Sequence, residues 1–119
     1  MKFAYPSKII IAWAEACGGN AKIRDWLTAN NYPELGLFVF ALNNRQSARD
    51  WLMENNQQHL MAIIRGTEGD PNALMWLRKF KFDILEKVAR AADNDDESMH
   101  WLVQHNYHDF ANLAMHMRR

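Results

Sequence analysis

The chain has 119 residues, enough for one domain with a real core and few for several. Hydrophobic residues at 49% exclude a disordered chain, and 14 Lys+Arg against 14 Asp+Glu argue against a nucleic-acid binder or a polybasic membrane-surface protein. The single cysteine, Cys17, leaves no internal disulfide framework, so a reducing compartment is the expectation.

In chain order, the first segment is "MKFAYPSKIIIAWAEACGG". Its apolar part, "IIIAWA", falls short of the ~7–15 residues of a signal-peptide core. Glu15 also sits beside the only cleavage-like site, and Pro6 interrupts the charged flank. No apolar run approaches the ~18 residues of a membrane span. A cytoplasmic protein is expected, with no membrane partner.

Next comes "IRDWLTANN" at Ile23, and a near-copy, "ARDWLMENN", begins 25 residues later at Ala48. The Trp-Leu pair recurs at the same step at Trp26-Leu27, Trp51-Leu52, Trp76-Leu77 and Trp101-Leu102. Further columns keep that register: Leu35, Leu60, Leu85 and Phe110; Phe38, Ile63, Val88 and Leu113; and the small residues Ala41, Gly66 and Ala91. Such recurrence marks a tandem repeat of stacked supersecondary units.

Each unit reads as two short helices. Ala48, Trp51 and Leu52 share one helical face, and Leu60, Ile63 and Ile64 share another. Polar junctions such as "NNYP" and "NNQQ" suit left-handed helix ends, and Pro33 suits the first turn of the helix that follows. "GGN", "GTEGDP" and "DNDDES" read as links between units. About 9–11 residues remain per helix, too few for stability without packing. The Trp-Leu pairs are therefore expected in the inter-helix core, each Trp→Ala costing roughly 3–5 kcal/mol. "LFVF" at 37–40 is β-prone, but the register places it in a helix.

Ile10, Trp13 and Ala16 align with the Leu60, Ile63 and Gly66 columns. The expected fold is all-α: one domain over 1–119, an α-solenoid of tandem two-helix repeats. An N-terminal half-repeat at 6–17 precedes four full repeats at about 18–42, 43–67, 68–92 and 93–117.

Read across a unit boundary, "FALNNRQSARDWLMENN" and "IIRGTEGDPNALMWLRKF" resemble the helical part of an ankyrin repeat. The Thr-Pro-Leu-His signature is missing, and 25 residues is too short for the hairpin of the ~33-residue ankyrin period. The resemblance implies a protein-interaction scaffold whose second helices, near 33–42, 58–66, 83–92 and 108–117, line a concave face.

The off-core column of those helices holds Pro33, Leu37 and Phe40, then Gln58, Ala62 and Arg65. It continues with Asp83, Lys87 and Arg90, and ends with His108, Asn112 and Met115. Candidate partner-binding residues are Leu37, Phe40, Arg65, Lys87 and Arg90. The helix around Leu37 is apolar on nearly every side, so it is either buried or covering a site.

Of the last unit's histidines, His105 and His108 with Asp109 carry metal-ligand chemistry in no standard zinc spacing. His116, in the Ala41/Gly66/Ala91 column, reads as a polar cap on the end of the array. The acidic run from Asp93 to Glu97 fits a helix start, not a calcium loop. In "RKFKF" at 78–82, Phe82 falls in the Tyr32/Tyr107 junction column, which favours packing over base stacking.

No phosphate loop, nucleophile elbow, paired-cysteine or zinc-protease motif is present, and Cys17 sits at a packing position. The sequence therefore points to a non-enzymatic scaffold without cofactor that binds another protein. Self-association through Leu37, Phe38 and Phe40 is the main alternative, with metal or nucleic-acid binding behind it.

Overall fold

The computed structural model describes residues 5–118 and places nine helices among them. These are α1 (Ser7–Cys17), α2 (Ala21–Ala29), α3 (Pro33–Leu42), α4 (Gln46–Glu54), α5 (Gln58–Thr67), α6 (Pro71–Lys79), α7 (Asp83–Ala92), α8 (Asp96–Gln104) and α9 (His108–Met117). The fold is all-α, and "LFVF" lies inside α3 as its register requires. Helices α2, α4, α6 and α8 start 25 residues apart, as do α3, α5, α7 and α9.

Identical turns enforce this regularity. Each of the first eight helices is followed by a left-handed residue: Gly19, Asn44, Gly69 and Asn94 between units, and Asn31, Asn56, Lys81 and Asn106 within them. One residue on, a backbone amide reaches back to the helix, as from Tyr32 to Leu27 (2.9 Å), Gln57 to Leu52, Phe82 to Leu77 and Tyr107 to Leu102 (each 2.8 Å). That is the Schellman closure, satisfying carbonyls that a helix end would otherwise leave unpaired. At helix starts, Asn20 accepts from the Ile23 amide and Asp70 from the Asn72 amide, while Pro33 and Pro71 open α3 and α6.

The odd-numbered helices form an inner layer. One side chain from each is wholly buried in register: Trp13, Phe38, Ile63, Val88 and Leu113. A second buried column runs through Ile10, Leu35, Leu60, Leu85 and Phe110. Trp13 meets Phe38 edge-on at 4.9 Å between ring centroids. The even-numbered helices pack outside this layer.

Within the outer helices the two members of each Trp-Leu pair part company. Leu27, Leu52, Leu77 and Leu102 are fully buried, whereas Trp51, Trp76 and Trp101 are half-buried and Trp26 is 49% exposed. This corrects the expectation that both residues belong to the core. A nine-residue outer helix buries only one face, and the next residue round turns the indole to its flank. There the indoles cover the junction aromatics: Trp76 stacks on Phe82 at 6.0 Å and Trp101 on Tyr107 at 5.9 Å. Truncating a Trp at this partly exposed flank leaves no enclosed cavity, so its cost falls below the core range.

The array also closes on itself. Helix α1 contacts α3, α3 contacts α5, α5 contacts α7, α7 contacts α9, and α9 returns to α1 through the most extensive helix pairing in the molecule. Ser7 donates to Asp109 (3.0 Å) at one end of this seam, and Gly18 lies against the His116 ring at the other, so α1 and α9 run parallel. His116 thus seals a closed ring and does not cap an open end. The radius of gyration is 12.9 Å, against about 13–14 Å for a compact chain of this length. With five helices packed into its middle, the ring has filled the face that an open array would present as concave.

A candidate interaction surface on the second helices

What the inner helices still offer to solvent is their off-core column, and the units treat it differently. In the first, Leu37 and Phe40 are half-buried against the core. The Arg24 and Arg45 guanidiniums lie 4.4 and 5.0 Å from the Phe40 ring centre, so cation–π contacts cover its outer face. Phe38 has no exposed surface and is withdrawn from the self-association patch proposed for this helix.

The third unit builds a charged cluster. Glu86 is only 4% exposed, yet its carboxylate accepts from Arg78 (2.7 and 3.2 Å) and from Arg90 (2.9 Å). Burial pushes this carboxyl up, but the hydrogen bonds and charges of Arg78 and Arg90 outweigh it and hold it below the ordinary value. Lys87 places its ammonium 5.5 Å from the Trp101 ring centre. Two candidate residues, Lys87 and Arg90, are therefore engaged within the chain.

The second unit leaves the same place open. Met53 of α4, Met61, Ala62 and Arg65 of α5, and Ala73 and Trp76 of α6 line a groove of about 240 Å³. Its lining is chiefly apolar. Asp70 stands at the rim, committed to the α6 N-cap. Arg65 is exposed, and among the described residues it alone of the arginines has neither a carboxylate nor a ring against its guanidinium. Of the five candidate positions, Arg65 is the one that lines this groove. Sequence reasoning missed Met53, Met61 and Trp76 as companions because each belongs to a different helix.

At the last unit His108 and Met115 are exposed. His105 stacks on Trp101 at 4.1 Å and sets Nδ1 2.8 Å from the Trp101 carbonyl oxygen. Asp109 is taken up by Ser7 and by the Phe110 amide. Among the described residues no three His, Cys, Asp or Glu side chains gather as a metal site would require, and His105, His108 and Asp109 form none. Cys17 is buried, as its packing position implies. Phe82 is buried too, stacked between Trp76 and His59, which leaves Phe80 as the exposed ring of "RKFKF".

Two further groups depart from their ordinary values. Burial pushes the Tyr5 phenol up, helped by its 2.7 Å hydrogen bond to Glu34, and burial lowers His59 against the opposing charge of Glu34. Both lie near the N-terminal ends of inner helices, and neither lines the Arg65 groove. No described helix is long and apolar enough to cross a membrane. No family model, curated protein or solved structure matches this chain.

Proposed function

We propose that the chain is a non-enzymatic protein-interaction module, an ankyrin-like helical array serving as a cytoplasmic scaffold or adaptor. Its partner is another protein, bound through the outward surface of the second helices. The observation that carries this reading is the open groove over α5, an apolar trough of methionine and tryptophan with an uncommitted arginine at its edge. Methionine, aromatic and arginine side chains are the types enriched where proteins meet, and methionine adapts its shape to what it covers. At about 240 Å³ the groove falls below the roughly 300–1,000 Å³ that encloses a small-molecule ligand. It suits a side chain from a partner better than a substrate or cofactor.

The test is capture from an extract of the native cell, comparing the wild-type chain with an Ala62→Lys bait shown by circular dichroism to be folded. A protein retained by the wild type and lost by the variant is the expected result. Equal capture by both baits would remove the groove over α5 as the binding face, and capture by neither would remove the protein-binding reading.

A further inference from the structure

The internal repeat supplies its own controls for the groove, because each lining position has a counterpart 25 residues away. In the third unit the counterparts of Met53, Met61, Ala62 and Arg65 are Arg78, Glu86, Lys87 and Arg90. There Glu86 gives both arginines a carboxylate, and Lys87 lies over the indole of Trp101, the counterpart of Trp76. In the first unit the counterparts of Ala62 and Arg65 are Leu37 and Phe40, both packed against the core, and Arg24 and Arg45 cover the Phe40 ring. Only the second unit combines a small residue at the plug position with an arginine whose carboxylate has been replaced by methionine. Two things present in the third unit are therefore missing from the second: a chain lying over the tryptophan and an anion for the arginine.

We infer that the groove over α5 binds a peptide segment of another protein in which a carboxylate side chain lies close to a bulky apolar one. The apolar side chain enters between Met53, Met61, Ala62 and Trp76, and the carboxylate pairs with Arg65. Charge complementarity selects the acidic partner, since the Arg65 guanidinium stands in the place where Arg90 holds Glu86. Asp70 also lines the groove, but among the described residues its carboxylate forms no ion pair with Arg65 and accepts from the Asn72 amide at the start of α6. This inference rests on the reading of the chain as a protein-binding module and specifies the partner's chemistry.

The experiment is selection of a displayed library of random dodecapeptides on the intact chain. Enriched peptides are then labelled and titrated by fluorescence anisotropy. Enriched sequences should carry Asp or Glu within a few residues of Leu, Met, Phe or Trp. Affinity should fall at least about tenfold with Ala62→Lys, which installs the third unit's own plug, and similarly with Arg65→Glu at an exposed position. A peptide whose acid is changed to Lys should lose affinity for the wild type and regain it on Arg65→Glu. Peptides without a carboxylate, or peptides indifferent to both substitutions, would overturn the inference. If those peptides instead lost affinity with Leu37→Asp or Lys87→Glu, the protein-binding reading would survive without it. Failure to enrich any peptide also overturns the inference, and the extract capture then decides the broader reading alone. Groove-dependent binding of labelled oligothymidylate without any peptide would overturn both in favour of a phosphate ligand.

Discussion

Asparagine or glycine occupies seven of the eight left-handed positions between the helices, and lysine the eighth, at Lys81 with φ +63°. Asn meets that backbone requirement cheaply because its short polar side chain tolerates it, whereas a β-carbon with a long stem is disfavoured by about 1–2 kcal/mol. Lys81 is exposed, without an ion pair among the described residues, so nothing there offsets the strain. Lys81→Asn, matching Asn31, Asn56 and Asn106, should therefore stabilise the protein by roughly 0.5–1 kcal/mol. Equilibrium urea denaturation reads this directly, and a lower midpoint would mean that the lysine stem contributes packing that outweighs its backbone cost. These turns were legible in the sequence because the backbone demand falls on single residues whose type reports it.

At the scale of the element, α7 buries a carboxylate that no periodicity announces. Glu86 occupies a column that is otherwise Gly36, Met61 and Ala111, and it is tolerated inside because two guanidiniums meet it. Its folded-state value lies below the ordinary one, so its contribution is fully present above about pH 4.3, the unfolded carboxyl's range. That stability is lost as pH falls from there through the lower folded-state value, where the native carboxylate is itself protonated. Glu86→Gln should then be less stable than wild type near neutrality and show a shallower loss below about pH 4. Urea midpoints measured from about pH 7 to about pH 3 provide the comparison, and parallel curves would show that the carboxylate charge contributes nothing. The outer helices teach a related point. Trp and Leu at consecutive positions look equally apolar in sequence, but a helix of nine residues points them in different directions, and only Leu reaches the interior.

For the whole molecule, closure of the ring sets the pattern of stability. In an open array the end units contact one neighbour and fray first, because stability is a sum over nearest-neighbour interfaces. Here the first and last inner helices share the most extensive interface, with the Ser7–Asp109 hydrogen bond and the Gly18–His116 contact at its two ends. Amides within α1 and α9 should consequently exchange with solvent as slowly as those of α5, under native conditions, by hydrogen-exchange mass spectrometry. Rapid exchange confined to α1 and α9 would show that the seam opens and that the units behave as a linear array.

The all-α class, the 25-residue unit, the turn residues and the buried leucine columns were determined by the sequence alone. Each depends on interactions within a unit or between adjacent ones, and tandem repetition displays such local requirements several times over. Closure and the groove were decided by the tertiary structure. Closure depends on the small rotation between successive units, which side-chain type leaves open until the packing of all five inner helices sums it. The groove over α5 exists because Ala62 is small where Leu37 and Lys87 are large and Met61 replaces Glu86, while its walls come from three different helices. An empty space has no residue of its own, so it becomes visible only when those walls stand together.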